Sequence, residues 1–285
     1  MLPNFLYIGP PKSASTWLYE VLAAHPQVFV PTVKDLYFFD RYYDKGLEWY
    51  AAHFDGSGDA VAVGELSHDY LYDAQAAARI AADLDAPKLI TILRQPMDRT
   101  LSEFRFLQRS GLVGEDFAEA LQARPEDMRG KSLYGAALAP YWAAFDPAQI
   151  ATFVYDDLVT DAGAFANAVY AFLDVSALDE LAVEGRVNAQ SAARSAGLAR
   201  LAKLGADGAR ALGLSGLVGR VKRHPLVLKA LYKAPKTAPV QIPRAVFEDL
   251  SAAFTADLAA LETLTGRKFP TLAMDRFDMG RVRLT

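Results

Sequence analysis

The sequence contains no cysteine and only four histidines in 285 residues. That removes disulfide frameworks, thiolate zinc sites, iron–sulfur clusters and cysteine nucleophiles, and with so few scattered imidazoles no metal is expected. No apolar run approaches the ~20 residues that a membrane span needs. The first thirteen residues also lack the basic region and long apolar core of a secretory leader. The expectation is a soluble, unprocessed, cytoplasmic chain. What is abundant is core-forming material: 52% of residues are hydrophobic and 22% charged. That balance excludes disorder and collagen-like repeats and fits one large or two small globular domains.

Charge is unevenly spread. The formal net charge is −4, yet residues 194–236 hold ten of the thirty basic side chains and a single acid, Asp207. Such a segment faces an anion of some kind: a nucleotide, an acidic substrate, a membrane surface or the acidic remainder of the chain. Its apolar residues are interleaved with Arg220, Lys222, Arg223, Lys229 and Lys233. This is the composition of a helical flap with one apolar and one cationic face, or of a plain surface helical pair.

Short apolar runs at Phe5-Leu6-Tyr7-Ile8, Val61-Ala62-Val63, Leu89-Ile90-Thr91-Ile92-Leu93 and 151–155 read as buried parallel strands. Helical spacing follows over 15–24, 74–84 and 165–173, after which no further strand is expected. Pro243 opens and Gly266 closes a final helix. The expected fold is α/β, a P-loop-like parallel sheet flanked by helices with a helical C-terminal extension. It forms one domain over 1–285, with a nucleotide-binding core at 1–190 and the extension, including the basic flap, at 191–285. In such sheets the ligand crevice lies beyond the carboxyl ends of the strands.

Two of the turns that follow strands carry phosphate-binding chemistry. Gly9-Pro10-Pro11-Lys12-Ser13-Ala14-Ser15-Thr16-Trp17 runs from strand into helix, where free N–H groups and the helix dipole attract an anion. Lys12 adds a charge, and Ser13, Ser15 and Thr16 add hydroxyls. The nucleotide-triphosphatase loop is a different pattern, since Gly9 and Lys12 stand too close and the second Gly is missing. A simple Ser/Thr helix cap with an incidental Lys is the plain alternative. The second turn runs from Lys88 through Arg94, Pro96, Asp98 and Arg99 to Ser102. Pro96 fits a helix start, and Arg94 and Ser102 are spaced to reach one anion. Two such sites on adjacent turns imply a ligand phosphorylated at both ends. Asp98 and Arg99 read as a local ion pair.

Pro11-Lys12-Ser13-Ala14-Ser15-Thr16-Trp17-Leu18 resembles the 5′-phosphosulfate loop of sulfotransferases, and Leu93-Arg94-Gln95-Pro96-Met97-Asp98-Arg99 through Ser102 resembles their 3′-phosphate motif. Val33-Lys34-Asp35-Leu36-Tyr37-Phe38-Phe39, Gly64-Glu65-Leu66-Ser67-His68-Asp69-Tyr70 and Phe153-Val154-Tyr155-Asp156-Asp157-Leu158 are similar in order and spacing to the Golgi-type carbohydrate branch and its bacterial relatives. The resemblance implies sulfuryl transfer from 3′-phosphoadenosine 5′-phosphosulfate (PAPS), without a metal, to a hydroxyl-bearing acceptor. Adenosine 3′,5′-bisphosphate (PAP) would be the product, and no nucleic acid is involved. It implies that Lys12 holds the 5′-phosphate and the bridging oxygen, with Ser13, Ala14, Ser15, Thr16 and Trp17 on the same phosphate. Arg94 and Ser102 would take the 3′-phosphate, Tyr155 would lie near the adenine, and Arg194 on the 3′-phosphate side. The base in that branch is a Glu; the matching residue here is Asp35, one methylene shorter. His68 is the alternative, since an imidazole suits proton transfer near neutral pH, with Glu65 orienting either of them. Other readings are a small-molecule kinase with Asp156 as its magnesium ligand, a nucleotide- or glycan-binding protein without turnover, and weak membrane-surface contact through 194–236.

Overall fold

The computed structural model describes residues 1–181 and 238–285 and, between them, the backbone at 192–193 and 232–233. The chain runs β1 (Phe5–Gly9), α1 (Ser15–Ala23), β2 (Val28–Phe29), α2 (Phe38–Arg41), α3 (Gly46–Ala51), β3 (Ala62–Leu66), α4 (Ala76–Asp83), β4 (Lys88–Leu93) and α5 (Pro96–Arg109). It continues through α6 (Phe117–Ala123), α7 (Pro125–Met128), α8 (Tyr134–Ala144), β5 (Ile150–Val154), α9 (Tyr155–Thr160) and α10 (Ala162–Phe172). Beyond these come β6 (Ala192–Ala193), β7 (Tyr232–Lys233), β8 (Val240–Ile242), α11 (Arg244–Thr265) and β9 (Val282–Leu284).

The first five strands form one parallel sheet in the order β2-β3-β1-β4-β5. Alternation along β1 sends Leu6 and Ile8 into one core cluster and Phe5 and Tyr7 into the other, all fully buried. Both faces are therefore covered, as a parallel sheet requires. Helices α4, α8 and α11 lie over the first face and α1 and α10 over the second. From β1 the chain crosses to one side, through β2 and β3, and then jumps back over β1 to β4. The carboxyl ends of β3, β1 and β4 thus sit side by side where the winding reverses, which is where such sheets hold ligands.

Local sequence explains the helix ends beside that edge. Pro96 occupies the first turn of α5, and the Gln95 side chain accepts from the Asp98 N–H at 2.8 Å. Pro243 precedes α11, and Gly266 ends it with φ of 64°. Helix α8 has no side-chain cap of its own. Asp257 of α11 supplies one, accepting from the N–H groups of Gly135 and Ala136 at 2.9 and 3.1 Å. A Cβ at Gly135 would lie 2.7 Å from the Asp257 carbonyl oxygen, so glycine is what lets the two helices meet.

Three expectations need correction. Strands do not stop after residue 173: β8 and β9 pair in parallel, in register Val240 to Val282, and close a third apolar cluster against α5 and α11. Tyr155 does not end a strand but starts α9. Asp98 and Arg99 do not pair with each other, because adjacent residues on a helix point in different directions. Asp98 meets Arg281 at 2.6 Å, while Arg99, fully buried, donates to Ser132 Oγ at 2.6 Å and to the carbonyls of Asp127 and Met128. Arg99 therefore pins α5 to the end of α7. Replacing it by Ala strands those acceptors in the interior and is expected to cost about 3 kcal/mol or more in urea unfolding. A loss under about 1 kcal/mol would show that these hydrogen bonds are easily replaced by water.

Candidate active site

Every strand of the main sheet delivers a candidate side chain within a few residues of its carboxyl end, Asp35 from β2 being the most distant in sequence. The turn after β1 is tightly specified. Gly9 has φ of +133°, and a Cβ there would lie 2.4 Å from the carbonyl oxygen of His68. Lys12 and Ala14 are left-handed, with φ of 69° and 64°. Ala14 occupies the cap position of α1 and provides no side-chain acceptor, so the Ser/Thr cap alternative does not occur. The first-turn N–H groups of Ser15, Thr16 and Trp17 consequently stay uncapped by any side chain, an anion-binding end. Ser13 is fully buried, and its Oγ has no hydrogen-bond partner. Thr16 is exposed, whereas the Trp17 ring packs edge-on against Phe165 at 5.8 Å and belongs to the core.

The turn after β4 touches this one directly. Arg94 donates from Nη1 to the Lys12 carbonyl at 3.0 Å, and Tyr134 donates to the Arg94 carbonyl at 2.7 Å. The Arg94 guanidinium lies 4.5 Å from the centroid of the Tyr155 ring. It is 8% exposed, its Nε has no partner, and burial lowers its pKa. A buried cation with an unmet donor is an anion site in waiting. Ser102 is also 8% exposed, two turns into α5. Lys12 itself projects onto α5, with Nζ 3.3 Å from the Phe106 ring centroid and 4.0 Å from Glu103 Oε2. Burial pushes its pKa down to about 8, against the opposing pull of Glu103.

On the other side of β1, the two candidate bases are one pair. His68 Nδ1 lies 2.7 Å from Asp35 Oδ1, which also receives Lys34 Nζ at 2.8 Å. Burial pushes the Asp35 carboxyl up, but Lys34 and His68 more than reverse this and hold it well below the usual carboxylate range. A carboxylate only accepts, so Nδ1 carries the proton and Nε2 of a neutral ring is left to accept from the Tyr37 hydroxyl at 3.2 Å. Asp35 and Tyr37 both have positive φ, 66° and 54°. What holds them there is Glu65, which accepts from Ser67 Oγ at 2.6 Å, from Tyr50 at 3.1 Å and from Tyr70. Ser67 Oγ and the Tyr70 hydroxyl in turn accept the backbone N–H groups of Tyr37 and Phe38, both at 2.9 Å.

Sequence reasoning missed Glu103, Phe106, Tyr37 and Tyr134. Only Glu103, an acid directly after Ser102, left a local signal. Arg194 lies outside the described residues, and so does the basic flap at 194–236 apart from the backbone at 232–233. Asp156, the candidate magnesium ligand, lies in the first turn of α9 and interacts with Asp98 and Arg94. Its carboxyl is pushed up by burial and by Asp98.

A family model described as a sulfotransferase domain matches residues 2–196. The chain belongs to the sulfotransferase family. Among curated relatives, a membrane-associated sulfotransferase of Dictyostelium discoideum is 38% identical over 108 residues, 37% of this chain. A human bifunctional heparan sulfate N-deacetylase/N-sulfotransferase is 31% identical over 196 residues, 61% of this chain. The matches span only 23% and 22% of those two proteins. A sulfotransferase structure from Alicyclobacillus acidocaldarius superposes with a TM-score of 0.68 at 21% identity, covering 95% of this chain and 99% of that one. The expected α/β architecture is thus the family's own, and the family membership removes the kinase reading.

Glu65 is fully buried, and that burial raises its pKa from 4.5 to about 7 despite the hydroxyls that favour its ionised form. A raised folded pKa means that the folded protein holds a proton the unfolded chain releases. The stabilisation is complete below about pH 4.5 and is lost as pH rises through about 7. Over that window Glu65 contributes a fall in unfolding free energy on the order of 3 kcal/mol. The Glu65→Gln variant is expected to flatten this slope in urea unfolding between pH 5 and 7.5. An unchanged slope would mean that Glu65 titrates as it does in water.

Proposed function

We propose that this chain moves a sulfuryl group from PAPS to a hydroxyl of an acceptor by in-line transfer. The observation that carries the reading is the direct contact between two buried cationic turns, Arg94 Nη1 on the Lys12 carbonyl, in which Ser13 Oγ and Arg94 Nε have no partner of their own. Those unmet donors suit a ligand with phosphate at both ends. PAPS, when bound, supplies the sulfuryl group and departs as the bisphosphate.

The residues divide the work by place. Ser13 and the N–H groups over 13–17 bind the 5′-phosphate, and Lys12 neutralises charge on the leaving oxygen, where a cation is most useful as charge grows. Arg94 and Ser102 bind the 3′-phosphate, with Tyr155 stacked under the guanidinium and close to the base. On the acceptor side a group must take the hydroxyl proton. Asp35, held ionised by the Lys34 ammonium and the His68 Nδ1–H, gives up that state reluctantly and is a weak base. His68 is the better one, taking the proton at Nε2 while Asp35 fixes its tautomer and stabilises the ring once charged. The acceptor hydroxyl then takes the place of the Tyr37 hydroxyl at Nε2. Arg41, exposed at the end of α2 and set over the Tyr37 ring, borders this side, and small-molecule, glycan and lipid hydroxyls are the acceptor classes to screen.

Labelled donor presented with a panel of hydroxyl acceptors is the direct test, and binding without turnover on every acceptor would leave a non-catalytic nucleotide-binding protein. PAP is expected to raise the melting temperature without added metal. Arg94→Ala is expected to weaken PAP by about 1.5–3 kcal/mol more than it weakens adenosine 5′-monophosphate, whose loss reports only the hydrogen bond to the Lys12 carbonyl. Equal losses on both nucleotides would make Arg94 a structural residue. In the same assay His68→Ala is expected to lose about 10²-fold or more in turnover with PAP affinity intact, and Asp35→Asn less. The reverse order would make Asp35 the base.

A further inference from the structure

One acid inside the donor site has no part in the mechanism above. Glu103 is 6% exposed and sits on the face of α5 that Lys12 covers. Its Oε2 is 4.0 Å from Lys12 Nζ and 3.7 Å from Arg99 Nη1, and it hydrogen-bonds to neither. Arg99 Nη1 is likewise without a hydrogen bond. Phe106, one turn further along the same face, presents its ring 3.3 Å from the same ammonium. The lysine therefore rests in a cradle made of one carboxylate and one aromatic face, both from α5, while its own backbone is bound to Arg94.

We propose that Glu103 is a positioning residue for Lys12: in the ligand-free protein its carboxylate keeps the half-buried ammonium charged and seated on Phe106, and it releases the ammonium to the donor's 5′-phosphate on binding. The physical reason is that a buried lysine without a counter-charge gives up its proton. Among the described residues, the charged groups with the largest effect on Lys12 are Glu103, Arg99 and Arg109 from α5 and Lys34 from the segment between β2 and α2, and of these Glu103 alone favours the charged form. A carboxylate at 4.0 Å with no hydrogen bond holds the ammonium loosely, so a phosphate offering direct hydrogen bonds displaces it. The inference depends on the donor-site reading only for the last step, the release to phosphate.

Two measurements separate the steps. In the ligand-free protein, the pH dependence of reductive methylation at Lys12, read by peptide mass spectrometry, reports its protonation. Glu103→Gln is expected to lower the midpoint by about one pH unit, a tenfold rise in neutral amine at a given pH, and Glu103→Asp to restore most of it. A midpoint unchanged in Glu103→Gln overturns the proposal whatever the ligand. Calorimetric PAP affinity between pH 6.8 and 9.5 then tests the handover. Glu103→Gln is expected to match or exceed the wild type at pH 6.8 and to lose affinity about one unit earlier as pH rises, and Lys12→Met is expected to abolish that alkaline limb. A loss by the same factor at every pH assigns Glu103 a structural role and also overturns the proposal. If Lys12→Met leaves the limb in place, it is the donor-site reading that fails, and the methylation midpoints still decide whether Glu103 governs Lys12.

Discussion

Lys12 and Ala14 hold left-handed backbone conformations that cost a residue with a Cβ about 1–3 kcal/mol each. The turn keeps its shape because its carbonyl oxygens are held from the strands around it. Arg94 binds that of Lys12, Thr91 Oγ binds that of Gly9 at 2.7 Å, and the Tyr7 hydroxyl binds that of Pro10 at 2.6 Å. Two of those donors come from β4 or its end. The strand order that places β4 against β1 is thus what makes the turn affordable, and the turn aims the free N–H groups of α1. A relaxed turn would leave the same residues in the same order with no common focus.

The acceptor side repeats the scheme with different groups. Asp35 and Tyr37 are also left-handed without being glycine, and their segment is held through hydroxyls that converge on Glu65. The backbone adds a further tie, from the Asp35 N–H to the Leu66 carbonyl at 3.0 Å. Each half of the site is therefore a strained segment fixed by buried polar groups on a neighbouring strand. Gly9, which admits only a hydrogen where it meets the His68 carbonyl, sets the two halves at a fixed separation.

What could be read from sequence follows from which forces are local. Strands β1 and β4 are continuous apolar runs, and each is followed within a few residues by donors that have no business in a core, so Lys12 and Arg94 stood out. Strand β2 is two residues long, and β8 and β9 are three each, too short to show a period and paired only through the fold. Asp98 and Arg99 looked like partners because they are adjacent, yet their real partners, Arg281 and Ser132, are brought in by tertiary packing. Asp35 and His68 could be named but not joined: their contact depends on the parallel register of β2 with β3, which no spacing along the chain encodes.

The internal pairing of these charges also bears on selectivity. Lys12 has Glu103, Arg281 has Asp98, and Arg94 has the Tyr155 ring and the Lys12 carbonyl. A ligand that brings one charge to such a site must displace an internal contact to gain a new one, and the exchange returns little, since an ion pair is worth only its excess over what it replaces. On the proposed reading, a ligand with phosphate at both ends would engage both turns at once. Its second contact would form without a second loss of translational freedom, and it would offer acceptors to Ser13 Oγ and Arg94 Nε, which have no hydrogen-bond partner among the described residues. Internal neutralisation therefore lowers affinity for all anions, and what separates a bisphosphate from a monophosphate is the contact with the second turn, made without a second association cost. That is the discrimination an enzyme needs if its donor carries the 3′-phosphate and the commoner adenine nucleotides do not.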